Sequence, residues 1–340
     1  MAISLIRILA FALALAALSG AHHEPVSARD VFGSRSLLHA HNCYTEEGQW
    51  ADRIDRALGT GLARLAIEQD VAWMPPSGGR PGRSVVSHDT ELSGTEPSLE
   101  QHFFERVRPL MERALAERQE QHWPLLILHL DFKSNEPEHH RAIWSLLERH
   151  RAWLTTAERV ADSARVMPFQ PGPLMVITEN GDGQEAAFSD RVSAGERLLI
   201  FGTTPNPALP RSEDPHVRAQ IAATATPTAL IPWPATNYRR WTNFSWNVVE
   251  QGGQPNAGEW TAADAARLGA IVRRAHEQGL WVRFYTLNGH DAAADRGWTA
   301  SYNFGTEAAV TTRWTAAVDA GVDLVATDQY EAFARILPKR

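Results

Sequence analysis

Short apolar runs recur along the chain, separated by stretches with helical periodicity. Eight of them read as strands: Leu37–Asn42, Leu62–Val71, Leu125–Lys133, Leu174–Asn180, Leu198–Thr203, Leu230–Asn237, Leu280–Leu287 and Val322–Thr327. Several are nearly continuous in Leu, Ile and Val, the pattern of parallel strands covered on both faces. Between them lie amphipathic segments. Ser98 and Gln101 form a capping box ahead of Phe103, Phe104, Val107, Leu110 and Met111, with a kink expected at Pro109. Thr261 opens another helix that turns Leu268, Ile271, Val272 and Ala275 inward and stops at Gly279, and a later one ends at Gly321. Strands alternating with helices predict an α/β fold, a single TIM-type (β/α)8 barrel. No Gly-rich phosphate loop follows the first strand, which disfavours a doubly wound open sheet. The sixth strand is the weakest, because Pro232 and Pro234 interrupt it.

Strand alternation sorts the polar residues by face. In the third strand His129, Asp131 and Lys133 share one face, and Leu126, Leu128, Leu130 and Phe132 the other. In the second, Glu68 and Asp70 lie together, opposite Leu65, Ile67 and Val71. Charges inside a barrel are tolerated near the C-terminal rim, where barrel active sites sit. Two carboxylates on one face repel unless a cation lies between them. One divalent ion, Mg2+ or Ca2+, is the natural partner for Glu68 and Asp70, with Asp131 as a third oxygen donor. A structural Asp131–Lys133 ion pair is the alternative for the third strand.

The first strand puts His39 and His41 on one face, His41 nearer the rim and His39 one layer below, with Asn42 next. His88 ends a short strand, Ser84–Ser87, expected to fold back as a hairpin after Trp73. Histidines on opposite sides of a phosphate satisfy general acid–base cleavage of a phosphodiester, so His41 and His88 are the candidate catalytic pair. Arg283 and Tyr285 share a face of the seventh strand and are read either as contacts to a phosphate or headgroup or as barrel filling. Glu179 and Asn180 end the fourth strand, Asn237 and Tyr238 the sixth, and Asp328 follows the eighth. His139 and His140 sit in an acidic segment and read as surface, and His22 and His23 fall near the expected mature N-terminus.

Composition narrows the partners. With 44% apolar residues in 340, a full core is available. The net charge of −7 and the lack of a basic cluster argue against a nucleic-acid partner. Residues 1–21 read as a signal peptide: Arg7, then the apolar run Ile8 to Leu18, then small residues at Ser19-Gly20-Ala21. That run is short for a membrane span, so the expected product is secreted or periplasmic with no stable transmembrane anchor; an uncleaved membrane anchor is the alternative. The barrel is expected over residues 30–340. A lone cysteine, Cys43, excludes an internal disulfide.

Taken in order, His39-Ala-His41-Asn42-Cys43-Tyr44, Ile67-Glu68-Gln69-Asp70-Val71, Val86-Ser87-His88-Asp89, Leu130-Asp131-Phe132-Lys133, Tyr285-Thr286-Leu287-Asn288 and Ala320-Gly321-Val322-Asp323 through Thr327-Asp328 form a series. It resembles the phosphatidylinositol phospholipase C-like phosphodiesterase superfamily, which includes glycerophosphodiester phosphodiesterases and sphingomyelinase D. The resemblance implies a barrel with His41 and His88 as acid–base pair. It implies Glu68, Asp70 and Asp131 as ligands of Mg2+ or Ca2+, and Lys133 near the phosphate. Asn42, Lys133, Arg283 and Tyr285 are then the candidate substrate contacts. Cys43 stands where the family commonly has Asp, and Asn42 where glycerophosphodiesterases have Arg. The expected substrate is a small phosphodiester or phospholipid headgroup, with no obligate protein partner. A metal-dependent amidohydrolase or polymerase-and-histidinol-phosphatase-like barrel is the rival enzyme class. A non-catalytic exported barrel that captures a phosphorylated ligand is the second alternative.

Overall fold

The computed structural model describes residues 36–45, 51–250, 257–290 and 303–337. The expected signal peptide, His22 and His23 lie outside them. Twelve strands are formed: β1 Leu37–Ala40, β2 Leu65–Met74, β3 Arg83–Val86, β4 Leu126–Phe132, β5 Thr156–Glu158, β6 Phe169–Gln170, β7 Leu174–Thr178, β8 Arg197–Leu198, β9 Phe201–Thr203, β10 Arg239–Ser245, β11 Trp281–Tyr285 and β12 Leu324–Thr327. Eight of these, β1, β2, β4, β7, β9, β10, β11 and β12, pair in that order, all parallel. The ring closes where β12 pairs with β1. The chain is a (β/α)8 barrel, as the alternation of elements predicts.

Period-2 alternation decides what each strand shows to which side. Leu38, Ile67, Leu128, Leu130, Val176, Val282, Phe284 and Val325 are buried outward. They meet the apolar stripes of the surrounding helices, among them Val107 and Met111 of Glu105–Glu117, Ile143 and Leu147 of Pro137–Arg149, Leu268 and Ile271 of Ala262–Glu277, and Trp314 of Glu307–Ala320. Each such aliphatic side chain, fully buried, contributes about 1.5–3 kcal/mol. The helix caps follow the sequence. Thr261 and Asp264 make a reciprocal capping box, and Gly279 and Gly321 take positive φ values of 72° and 79° where their helices stop. Ser98 accepts from the Gln101 amide at 3.2 Å, and the first turn after it, Glu100–Phe104, is π-helical.

The sixth strand is not where the apolar run puts it. Within Leu230–Asn237 the prolines remove ladder donors. The chain instead makes a short helix, Pro227–Leu230, and an irregular link, and β10 starts at Arg239. Asn237 and Tyr238 therefore precede the strand and lie at the barrel's N-terminal end. There Asn237 donates to the carbonyl of Glu158 at 2.8 Å, and the Tyr238 ring covers Gly202, where an added Cβ would come within 2.4 Å of it.

That end is closed by a small antiparallel sheet, β6-β5-β8. Ala157, Phe169 and Leu198 from it pack against Ala66, Ile127, Met175, Ile177, Phe201, Trp241, Trp281 and Leu324, an apolar plug across the barrel. At the other end β3 folds back antiparallel on β2, with Val86 opposite Val71, the hairpin expected after Trp73. Among the described residues no helix is long and apolar enough to cross a membrane.

Candidate active site at the barrel mouth

Above the apolar plug the inward residues turn polar. Register places Glu68 beside His129, Asp70 beside Asp131, and Asn243 beside Arg283. Glu68 and Asp70 are only 3% and 2% exposed, so they are not a solvated acidic rim. Ligand atoms of Glu68, Asp70 and Asp131 lie within 4.8 Å of one another. Nζ of Lys133 stands 2.8 Å from Oδ2 of both Asp70 and Asp131. A cation is thus already cradled by two of the three carboxylates, the charge environment that a hard divalent ion needs. The wider mouth holds five carboxyl groups (Glu68, Asp70, Asp131, Glu179, Asp328) and three permanent cations (Arg53, Lys133, Arg283), and burial, then the charge of Asp131, pushes Glu179 up to about 8. The oxygen-only set fits Mg2+ or Ca2+.

Environment pushes these groups apart. Burial, and then the charge of Asp131, raises the Asp70 carboxyl well above its ordinary value. Burial acts on Glu68 in the same direction, but His41, Arg283 and Lys133 outweigh it and hold Glu68 below the usual carboxylate range. Burial would lower Lys133, yet Asp70 and Asp131 raise it, so its ammonium is retained.

His41 comes from the turn after β1. Its Nδ1 lies 3.0 Å from Oδ1 of Asp328, which follows β12. The Asn42 amide nitrogen lies 2.8 Å from the same Nδ1, so the ring is held in place between Asp328, Asn42 and Glu68. Nε2 stands 3.6 Å from Glu68 Oε2. Asp328 is held in turn by the Asn288 amide at 2.7 Å and the Asn42 amide at 3.1 Å. Arg53 donates to the Asn42 carbonyl at 2.9 Å, and Tyr330 donates to the His41 carbonyl at 2.6 Å. Tyr285 stacks beside His41 with ring centroids 6.3 Å apart.

The structure brings His41, Glu68, Asp70, Asp131 and Lys133 together. Arg283 joins them from below, donating to Glu68 Oε1 at 3.2 Å and to Asn243 Oδ1 at 3.0 Å. Asn42 is buried with φ of 49°, and its side chain is engaged with Asp328, His41 and the Tyr44 hydroxyl. Its backbone amide donates to Glu68 at 3.1 Å. His88 is outside the carboxylate cluster: its side chain is 48% exposed and stands 3.8 Å from Asp89. The residue before it is tied to the mouth, since Ser87 N donates to the Asp70 carbonyl at 3.1 Å. Cys43 is fully buried, and burial pushes its thiol up to about 12, so it is inert.

Two readings of the sequence need correction. His139 and His140 are buried, not on the surface. They open the helix Pro137–Arg149 on its inner side, where both rings pack on Phe132 and His139 Nε2 lies 2.8 Å from the Ser84 hydroxyl. Sequence reasoning also missed the carriers of the site. Asn243 sits on the misplaced sixth strand, where the alternation Trp241, Asn243, Ser245 is the available signal. Arg53, on the helix Arg53–Gly59, leaves no signal, because its partners are backbone carbonyls of the β1 turn and the side chains of Tyr330 and Asp328, more than 270 residues away.

No protein-family model matches the chain, and no curated protein matches it. Solved structures that it resembles include wild-type HPPK-DHPS of Plasmodium falciparum with pteroate, at 8% identity over 90% of this chain and 47% of that one, TM-score 0.40. The same wild-type protein with pterin and p-hydroxybenzoate gives 8% identity over 90% of this chain and 48% of that one, with a TM-score of 0.42. The chain spans about half the length of the structures it matches.

Proposed function

We propose that this barrel is a divalent-cation-dependent phosphodiesterase acting on a small phosphodiester or phospholipid headgroup. What carries the reading is the pairing of His41 with Asp328 directly beside the Glu68, Asp70 and Asp131 cluster. Glu68, Asp70 and Asp131 would hold Mg2+ or Ca2+. Such an ion, when bound, stabilises charge developing on a phosphate oxygen.

The remaining steps belong to the chain. Nε2 of His41 takes the proton of the attacking hydroxyl, and Asp328 stabilises the imidazolium that forms. His88, on the hairpin beside Asp70, protonates the leaving oxygen. Lys133, whose side chain is 21% exposed, is the cation that an entering phosphate reaches first. Tyr285 walls the site beside His41. Arg283 and Asn42 position Glu68 and Asp328 rather than meet substrate. Attack by water releases the products directly, whereas attack by a substrate hydroxyl gives a cyclic phosphate first.

The test is hydrolysis of bis(p-nitrophenyl) phosphate with Mg2+ or Ca2+, followed by a panel of phospholipids, lysophospholipids and glycerophosphodiesters. Chelation, His41→Ala and His88→Ala should each lower turnover by about 100-fold or more. Wild-type rates equal to those of both histidine variants would exclude this chemistry. Phosphorus NMR of the products separates the water route from the cyclic one.

A further inference from the structure

Beneath the mouth lie two imidazoles that the proposed reaction does not use. His39 and His129 are both fully buried, and all four of their ring nitrogens lack a hydrogen-bond partner. Buried polar atoms are nearly always satisfied, and each unsatisfied one costs about 1–3 kcal/mol. Here four are concentrated in one place. The rings are 5.0 Å apart, tilted 59° to one another, and His129 stands edge-on against Trp241 of the apolar plug, also at 5.0 Å. The nearest anion is Glu68, whose Oε1 lies 3.5 Å from His129 Nδ1.

We propose that His39, His129 and Glu68 form a second metal site, a nitrogen-rich pocket for a borderline transition ion such as Zn2+ or Co2+, lying below the oxygen-only set. One ligand atom from each residue lies within 4.8 Å of the others. Bonds of about 2.0–2.2 Å draw tetrahedral donors to about 3.3 Å apart, so modest side-chain closure completes the site. Two imidazoles and one carboxylate suit these ions and not Mg2+ or Ca2+. Glu68 can serve both sets because its oxygens point apart. Oε2 accepts from the Asn42 amide and faces His41, while Oε1 faces His129.

Arg283 is the competitor, since its Nη2 occupies Glu68 Oε1 at 3.2 Å. Its other arm is held independently by Asn243 at 3.0 Å, with Glu179 at 3.8 Å, so it can yield Glu68 without losing its anchorage. This inference does not depend on phosphodiesterase chemistry, and its test reads binding.

The experiment strips the purified protein with chelator, adds Co2+ in the presence of excess Mg2+, and follows visible absorption and bound metal by mass spectrometry. One Co2+ per chain is expected, with the intense bands of a low-coordinate nitrogen site. His39→Gln and His129→Gln should weaken it by about 100-fold, Asp131→Asn should leave it intact, and Arg283→Met should tighten it. Loss of Co2+ in Asp131→Asn with retention in His129→Gln would overturn the proposal, as would complete displacement by Mg2+. Should the histidine variants fail to fold, X-ray absorption of the Zn2+-loaded wild type decides. Two imidazoles on the metal support the site, and fewer than two overturn it.

Discussion

Nζ of Lys133 stands 2.8 Å from Oδ2 of Asp70, and the same ammonium donates to Asp131 at 2.8 Å. One internal cation therefore separates two carboxylates that would otherwise repel. Replacing it with an isosteric apolar chain, Lys133→Met, leaves buried charge uncompensated, at a cost of about 3 kcal/mol or more. The expected result is a lower unfolding temperature in chelator and a larger upward shift with Mg2+ or Ca2+ than in wild type. A fluorimetric melt titrated with each ion checks this. An unchanged melt with an unchanged ion response would deny Lys133 the role of counter-ion.

Asp328→Asn keeps the shape beside His41 but replaces an acceptor with an amide that donates to Nδ1. The imidazolium formed in the proposed step then loses its counter-charge. Turnover should fall about 10²- to 10⁴-fold with little change in KM and in the circular dichroism spectrum. Steady-state kinetics on the best phosphodiester substrate reads the split, and an intact kcat would remove Asp328 from the mechanism.

Acid should loosen the fold before it protonates most carboxylates. Burial holds His102 and His139 down at about 4, and His39 and His129 well below their ordinary value. Above pH 6.5 these rings are neutral folded or unfolded, so they make no difference. As pH falls from 6.5 towards 4, the unfolded chain binds protons that the folded chain refuses, and stability drops. For His102 or His139 the full loss is about 3 kcal/mol. Urea unfolding at pH 7.5, 6 and 5 should show the decline. His102→Phe, which removes a ring whose Nε2 has no partner, should flatten it.

Cys43 should behave as a hydrophobic residue. With its thiol pushed up to about 12 by burial, iodoacetamide at pH 8 should leave the native protein unmodified and alkylate it in urea. Intact-mass spectrometry distinguishes the two. Rapid native alkylation would mean that the turn after β1 opens to solvent.

The parts of the site that were legible in the sequence are those governed by strand alternation. Glu68 with Asp70, and His129 with Asp131, fall inside because a period of two leaves no other choice once Ile67 and Leu130 face the helices. Alternation failed where composition masked it. The apolar run Leu230–Asn237 outweighs Arg239–Ser245, which begins with two arginines, yet Arg240 is buried by donating to Asn237 and to the remote Met167 carbonyl and by stacking over the Phe169 ring. His139 looked solvated for the same reason, since its partner Ser84 lies 55 residues away. The role of Asp328 stayed open because nothing local binds it to His41.

β1 and β12 are the seam at which the cylinder is fastened, and His41 and Asp328 hang from its two edges. The His41–Asp328 pair on which the proposed chemistry rests therefore forms only when that seam is closed. A half-barrel would carry Glu68, Asp70 and Asp131 without that pair, so under the proposed reading turnover would report completion of the fold.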